Sequence, residues 1–277
     1  VIWTLLTART RCLSIGILVM PILFAASTLP TLTRRLQWRG YTLLADQTSR
    51  YSHLVLAKTG SLVSLFENGL ISAHFPDPAA YEELAHWSLL AHPSPRRVLI
   101  IGGGATGSLS ELLKHPVTQV DYIELDPAVI RLLKTALPAV DRAALEDARV
   151  HVIHQDGRRF LAHTAHRYDV ILLQLPEPRS AQINRLYTLE AFQAIHQRLA
   201  PSGLFAFTIP SSENYLSPET LYFNACLYLT LKAVFPSVEL VAGDPLLLLA
   251  GLGEVRLDLA TLISRYQERR LSTRVVV

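Results

Sequence analysis

Cysteine is scarce in this sequence, which contains only Cys12 and Cys226. Neither a disulfide framework nor a cysteine-based metal site can be built from that pair. Ten histidines are present, and the nearest candidates for a ligand pair are His163 and His166. A solvated helix end explains this pair better than a metal site does. We therefore predict a protein without a bound metal.

A strong charge imbalance is also lacking, because the formal net charge is only +3. No cluster of Lys and Arg interleaves with aromatic residues in the main part of the chain, so nucleic-acid binding has little support. Internal repeats and low-complexity segments are absent from the sequence as well. At 277 residues the chain can form one sizeable α/β core and a smaller module.

Hydrophobic residues are abundant, at 50% of the chain, and part of this excess lies in one uncharged run, residues 12–33. Arginines flank the run on both sides: Arg9 and Arg11 precede it, and Arg34, Arg35 and Arg39 follow it. The run is long enough to cross a bilayer core of about 30 Å. A cleaved signal peptide and a buried or interfacial helix are the alternatives. We predict a transmembrane segment with its flanks over residues 1–40, in what looks like a piece of a longer protein because the chain begins without Met.

Three further regions follow this segment. Residues 41–78 alternate apolar and polar positions around turn signals such as Asn68-Gly69, which predicts a small β module. Residues 79–255 alternate short apolar strands with helical segments, which indicates a parallel sheet covered on both faces. Residues 256–277 predict a C-terminal helix or tail.

The strongest local signal is the stretch RRVLIIGGGATGSLSELLKHPVTQVDYIELDPAVI, residues 96–130. An apolar strand runs into glycines at four positions: Gly102, Gly103, Gly104 and Gly107. Glycine permits a tight turn and the close approach of a nucleotide to the backbone. The next strand ends on Glu124, whose carboxylate can accept hydrogen bonds from both ribose hydroxyls. The spacing would also suit NAD.

A second acidic position discriminates between these ligands. The third strand ends at Asp156-Gly157, where a carboxylate can accept the adenine amino group and glycine leaves room for the ring. This order is typical of the class I methyltransferase-like (Rossmann-like) fold, in which the ligand is a sulfonium nucleoside. The alternative is that Glu124 and Asp156 only cap helices.

Several segments together resemble the spermidine synthase (polyamine aminopropyltransferase) family. They are HPSPRRVLIIGGG, VDYIELDP, DGRRFL, YDVILLQLPEP, NRLYTLEAF and LAPSGLFAFTIPSSENYLSPE. The resemblance extends from about residue 47 to residue 252 and is greatest for a bacterial branch fused to membrane spans. It implies a small N-terminal β domain before a methyltransferase-like domain.

The same resemblance implies a reaction and its partners. An aminopropyl group would pass from decarboxylated S-adenosylmethionine to an amine such as putrescine, without a metal. The predicted location is the bacterial inner membrane, attached through residues 12–33, with the main domain in the cytoplasm. Whether the protein forms a homodimer is left open by the sequence.

The expected catalytic segment departs from the family pattern. In the family, the first Asp of a D-x-x-D-P segment acts as the catalytic base. Here Gln174 stands at that position. An amide cannot accept a proton near neutral pH. Glu177 retains the second carboxylate of the segment and could hold an amine or act as a displaced base. It could equally be an exposed loop acid.

Donor contacts depart from the pattern too. Where the family commonly has GGGDGG, Ala105 and Thr106 follow the third glycine. Ser52 stands where a Gln of the family contacts the donor.

The remaining site candidates follow from the resemblance. They are Tyr187 in a gate-like loop over residues 179–188, Glu82 on the acceptor side, and Glu213 as a second amine contact. A helix-surface position is the alternative for Glu82.

Three functions follow from these observations. The first is a membrane-anchored aminopropyltransferase in which Glu177 replaces the missing base. The second is a catalytically degenerate module that binds a nucleoside or polyamine. The third is a methyltransferase that uses intact S-adenosylmethionine.

Overall fold

A computed structural model describes Thr33 and residues 37–178, 180–212 and 214–273. The chain divides into two compact units, Val1–Leu43 and Leu44–Val277. The glycine loop and the acidic residues near it lie in the second unit.

A small four-stranded sheet comes first, in the spatial order β1-β2-β3-β4. Its strands are β1 (Thr42–Thr48), β2 (His53–Thr59), β3 (Leu62–Glu67) and β4 (Leu70–Phe75). Asn68 and Gly69 connect β3 to β4 with φ of 51° and 82°, as a tight hairpin turn requires. The predicted β module is confirmed as a sheet, whereas its separation from the rest at residue 78 stays a prediction.

A seven-stranded sheet forms the main body, in the order β10-β11-β9-β8-β5-β6-β7. Its strands are β5 (Arg97–Ile101), β6 (Gln119–Ile123), β7 (Val150–Ile153), β8 (Tyr168–Leu173), β9 (Leu199–Ile209), β10 (Ser237–Val241) and β11 (Leu246–Gly251). Strands β5 to β9 pair in parallel. Strand β11 runs antiparallel to both of its neighbours. The predicted Rossmann-like sheet is confirmed.

Nine α-helices accompany the two sheets in the described residues. They are α1 (Pro78–Ala91), α2 (Ser108–Leu112), α3 (Pro127–Leu133), α4 (Ala139–Leu145), α5 (Gly157–His163), α6 (Ala181–Asn184), α7 (Leu189–Arg198), α8 (Pro218–Lys232) and α9 (Leu259–Glu268). Asp126-Pro127 and Ser217-Pro218 are typical sequence signals for a helix start, and both caps form: Asp126 accepts from the Ala128 N–H and Ser217 from the Thr220 N–H. The predicted C-terminal helix is α9.

Alternate residues of the central strands enter two separate cores. On β5, Val98 and Ile100 belong to one apolar cluster, and Leu99 and Ile101 belong to the other. Successive side chains of a strand point to opposite faces, and both faces of a parallel sheet are covered. The uninterrupted apolar run VLII, residues 98–101, is therefore the form that a central strand requires.

The predicted transmembrane segment, residues 12–33, lies outside the described residues except for Thr33. Within the described ranges, no helix combines the length and the apolar character that crossing a bilayer would require.

Candidate functional site

The glycine loop begins directly after β5, at the carboxyl edge of the sheet. Gly102 and Gly103 have φ of 75° and 61°, a region that residues with a Cβ rarely adopt. The Gly102 N–H donates to the Ile123 carbonyl at 2.9 Å. A Cβ added at Gly103 would lie 2.6 Å from the backbone oxygen of Gln174. The loop therefore depends on glycine for both its conformation and its packing against the end of β8.

Gln174 lies immediately after β8 and faces this loop. Its backbone N–H donates to the Ile101 carbonyl at 3.0 Å. The Ser108 hydroxyl, at the start of α2, donates to the Gln174 side-chain oxygen at 2.6 Å. Sequence reasoning overlooked Ser108, because a serine at a helix start is usually explained by capping alone. The structure thus places a neutral amide–hydroxyl pair where the family resemblance implied a base.

Glu124 follows β6 directly, as predicted, and is mostly buried. Its carboxylate accepts from the Tyr122 hydroxyl at 3.2 Å and from the Asp126 N–H at 3.1 Å. Burial raises the pKa of Glu124 to about 7, and the neighbouring charges of Glu67 and Asp126 act in the same direction. The side chain therefore changes charge near neutral pH.

Two further acids near Glu124 were missed by sequence reasoning. Asp126 is only 4% exposed. One of its oxygens accepts from the Ala128 N–H, and the other has no partner among the described residues. Glu67, at the end of β3, belongs to the small sheet, and burial raises its pKa. No local motif links Glu67 to Glu124 in sequence, since only the packing of the two sheets brings them together.

Asp156 caps helix α5 at the end of the β7 segment. One oxygen accepts from the Arg159 N–H at 3.0 Å, and the other forms an ion pair with Arg185. Arg185 follows helix α6 in the gate-like loop. Asp156 therefore caps α5, while both its contact with adenine and the alternative that it only caps stay predictions. Arg185 carried no recognisable signal in the sequence.

Gly157 makes close packing possible beneath this cap. A Cβ added there would lie 2.8 Å from Ile101 Cγ2. Helix α5 therefore starts directly against the end of β5, which keeps Asp156 at the same edge of the sheet as the glycine loop.

Helix α1 closes the loop from the other side. Tyr81 packs on Gly107, whose added Cβ would lie 2.9 Å from Tyr81 Cγ. The Tyr81 hydroxyl donates to the His74 carbonyl. Glu82 is only 2% exposed, so the alternative of a helix-surface acid is wrong for it. Its neighbour Glu83 is the exposed acid of the pair.

The other predicted residues are less well placed for chemistry. Tyr187 is 5% exposed, and its ring packs against Phe207 at 5.5 Å between centroids. Burial raises the pKa of Tyr187 far above its usual value, which favours a packing role. Glu177 is partly buried in the loop after β8. Glu213 lies outside the described residues.

Most of the predicted residues therefore lie at one edge of the main sheet. The glycines, Glu124 and Asp156 share the carboxyl edge of the parallel strands, where such folds bind ligands. Gln174 joins them across the glycine loop. Together these features define the class: a Rossmann-like α/β protein with a glycine cradle bordered by acids at the carboxyl edge of its sheet.

Comparison with known proteins specifies this class further. The spermine/spermidine synthase domain matches residues 78–238. The polyamine aminopropyltransferase of Bacillus subtilis is 32% identical over 73% of this chain and 72% of its own length. That of Korarchaeum cryptofilum is 39% identical over 51% of this chain, which spans only 44% of that relative. The chain belongs to the spermine/spermidine synthase family.

Solved structures show the same fold. The spermidine synthase of Thermotoga maritima has a TM-score of 0.70 at 22% identity and covers 84% of this chain and 80% of its own. A spermidine synthase in complex with the transition-state analogue AdoDATO has a TM-score of 0.68 at 24% identity, covering 80% of this chain and 76% of its own. The predicted combination of a small β sheet and a Rossmann-like sheet is therefore confirmed.

These findings contradict the predicted location in a bacterial inner membrane, which is therefore not supported. The match begins at residue 78, its relatives are polyamine aminopropyltransferases, and no described helix can cross a bilayer. The uncharged run at residues 12–33 has the length and hydropathy of a membrane span. These two criteria alone do not distinguish a span from a signal peptide or a buried helix. Membership of a membrane-fused branch of the family stays a prediction.

Proposed function

We propose that the domain binds an S-adenosylmethionine-type nucleoside and transfers an aminopropyl group from decarboxylated S-adenosylmethionine to a polyamine such as putrescine. The observation that supports this most is the glycine cradle with Glu124 at the tip of the next strand. The names of the relatives point to the same reaction.

The nucleoside end of the site fits such a donor. Glu124 would accept the ribose hydroxyls, and Asp156 would accept the adenine amino group. The glycine loop would lie beside the ribose and the sulfonium, where the lack of side chains leaves the backbone accessible to the ligand. The free oxygen of Asp126 adds a buried acceptor near the ribose side.

The residues that would act on the attacking amine fit the proposed reaction less simply. The amine nitrogen attacks the carbon next to the sulfonium, the carbon–sulfur bond breaks towards sulfur, and methylthioadenosine leaves. The attacking amine must lose one proton. Gln174 cannot take it, so we assign that role to Glu177, the remaining carboxylate of the segment. Glu82 would hold the cationic end of the acceptor.

The direct test is to incubate the purified chain with putrescine and decarboxylated S-adenosylmethionine and to measure methylthioadenosine and spermidine by mass spectrometry. We expect both products in equal amounts. If neither forms with putrescine or with a panel of other amines, the proposed transfer is wrong.

A second candidate is a module that binds the nucleoside without turnover. The Ser108–Gln174 hydrogen bond favours it, because this pair fills the base position with groups that are neutral at pH 7. Calorimetry would then show methylthioadenosine binding while the turnover assay gives no product. Binding accompanied by turnover would exclude it.

A further inference from the structure

Four polar side chains in a row, with two buried histidines at the centre, link the C-terminal helix to the helices beside the glycine loop. Arg269, at the end of α9, contacts His115 Nδ1 at 3.1 Å. His115 Nε2 contacts His86 Nδ1 at 2.8 Å, and His86 Nε2 contacts Glu111 at 3.1 Å. Both histidines are only 2% exposed. The chain is separate from the residues assigned to the nucleoside and the amine.

The direction of every hydrogen bond in this chain follows from Arg269. A guanidinium can only donate, so His115 Nδ1 must accept and the His115 proton lies on Nε2. His115 then donates to His86 Nδ1, and His86 donates from Nε2 to Glu111. Both histidines are therefore neutral and of one tautomer. A proton added to either ring would oppose a donor on its neighbour.

Electrostatics support this arrangement. Burial lowers the pKa of His115 to about 2, and the charges of Arg269 and Lys114 lower it further. Burial alone would raise the pKa of Glu111, but hydrogen bonds from His86 and Lys114 outweigh it and the pKa is lowered. Lys114 also donates to the Ser272 carbonyl at 3.1 Å. Glu111 is thus the anionic end of the chain and Arg269 the cationic end.

The chain fixes α1 relative to α2. His86 and Glu82 are four residues apart and share one face of α1. Helix α2 follows the glycine loop and contains Glu111. Gly107, just before its first residue, packs on Tyr81, and Glu111 contacts His86. Displacement at the His86 contact would therefore move Glu82 relative to the glycine loop.

We infer that Arg269 is a positioning residue, which acts through His115 and His86 to hold the acceptor helix α1 at a fixed distance from the donor loop. This inference rests on the proposed function for its effect on turnover. Its effect on the histidines does not depend on any substrate.

The simpler alternative is that Arg269 only caps α1. Its guanidinium donates to the carbonyls of Leu89, His92 and Pro93 at 2.8, 2.8 and 3.0 Å. Arg265 does the same for Ala91 at 2.8 Å and also for Leu90. Because Arg265 caps α1 but does not contact His115, R265Q is a matched control. R265Q removes the hydrogen bonds from Arg265 to the end of α1 and leaves the contacts of Arg269, His115, His86 and Glu111 in place.

The experiment compares wild type, R269Q, R269K and R265Q. Nitrogen chemical shifts of His115 and His86 between pH 5 and 8 report tautomer and charge, and kcat/KM for the amine reports positioning. We expect wild type and R265Q to keep both histidines in the tautomer with the proton on Nε2. In R269Q the His115 proton should move at least in part to Nδ1, because the shorter Gln side chain no longer brings a donor to that atom. Glu111 and Lys114, the charged groups beside the pair, are unchanged in all four proteins.

For turnover, we expect R269Q to lower kcat/KM by about tenfold or more relative to R265Q, since a displacement of about 1 Å can cost up to about 100-fold. R269K should recover part of the loss, since one ammonium N–H can still donate to His115.

Three results would overturn the inference. One is R269Q matching R265Q in kcat/KM at every pH. Another is an unchanged tautomer of His115 in R269Q, and the third is R269K behaving like R269Q in both measurements. If wild type itself forms no product, the proposed function fails instead. The histidine shifts and the affinity for methylthioadenosine would then still decide the role of Arg269.

Discussion

The hydroxyl of Ser108 donates to the side-chain oxygen of Gln174 at 2.6 Å, joining the start of α2 to the end of β8. The amide therefore has a structural partner and a fixed position beside the glycine loop. A carboxylate at residue 174 could accept from the same donor. The Ser108–Gln174 pair thus holds a neutral group at the position to which the family resemblance assigns a base.

Gln174→Asp should raise the rate of aminopropyl transfer. Asp can accept the Ser108 hydrogen bond and also take the proton of the attacking amine. A general base contributes about 100-fold or more, so we expect a rise in kcat of that order. The measurement is methylthioadenosine formation with putrescine, and Gln174→Asn is the control because it keeps an amide. A rate for Gln174→Asp no higher than that of Gln174→Asn would place the base elsewhere.

Gly103→Ala should destabilise the protein and weaken nucleoside binding. The residue has φ of 61°, and an added Cβ would lie 2.6 Å from the Gln174 carbonyl oxygen. We expect a loss of about 1–3 kcal/mol in the free energy of unfolding. Gly253→Ala is the matched control, since a Cβ there meets nothing within 4 Å. Its effect should stay within about 0.5 kcal/mol. Equal melting temperatures for the two variants would contradict the described loop geometry.

Local signals were sufficient to predict most of the main sheet. The run at residues 98–101 predicted β5 because a strand buried on both faces must be apolar throughout. Asp126-Pro127 predicted the start of α3, and the glycines predicted the turn after β5. Each of these signals depends on residues that are neighbours in the chain, which is why a single sequence contains them.

Non-local relationships could not be predicted in the same way. Glu67 approaches Glu124 only because the small sheet packs beside the main one. Arg185 reaches Asp156 across a connection of 29 residues in sequence, and nothing local marks it as a partner. Arg269 is more distant still from His115. The burial of Glu82 was also missed, since its helix is apolar on most of its circumference and offers no clear exposed face.

Asp156→Asn should weaken binding of adenine ligands more than binding of ligands that lack the amino group. The carboxylate is predicted to accept from that group, and the Arg185 ion pair keeps it ionised. We expect the affinity for methylthioadenosine to fall about tenfold or more, since hydrogen bonds to charged groups contribute about 1.5–3 kcal/mol. The affinity for methylthioinosine should change little.

Arg185→Gln serves as the control for the ion pair in the same calorimetric comparison. It removes the partner of Asp156 and leaves the carboxylate in place, so selectivity for the amino group should remain. Equal losses for both ligands in Asp156→Asn would indicate that the residue only caps α5. In that case adenine is recognised elsewhere.

Nucleoside affinity should depend on pH through Glu124. The pKa of Glu124 is raised by burial to about 7, and only its ionised form accepts from both ribose hydroxyls. Binding of methylthioadenosine should therefore be about tenfold weaker at pH 6 than at pH 8. Binding at pH 6.5 should release a proton, which calorimetry in buffers of different ionisation enthalpy measures. In Glu124→Gln both effects should vanish, along with most of the affinity.

Folding stability should change with pH through the same group, in the opposite direction. A carboxyl whose pKa is higher in the folded protein than the ordinary 4.5 stabilises the fold fully below 4.5, and this contribution is lost as pH rises through about 7. The loss amounts to at most about 3 kcal/mol. Glu67 titrates with the same sign, so the test is the difference in unfolding free energy between wild type and Glu124→Gln. That difference should move in favour of Glu124→Gln between pH 5 and 8, and a constant difference would show that Glu124 is ionised throughout.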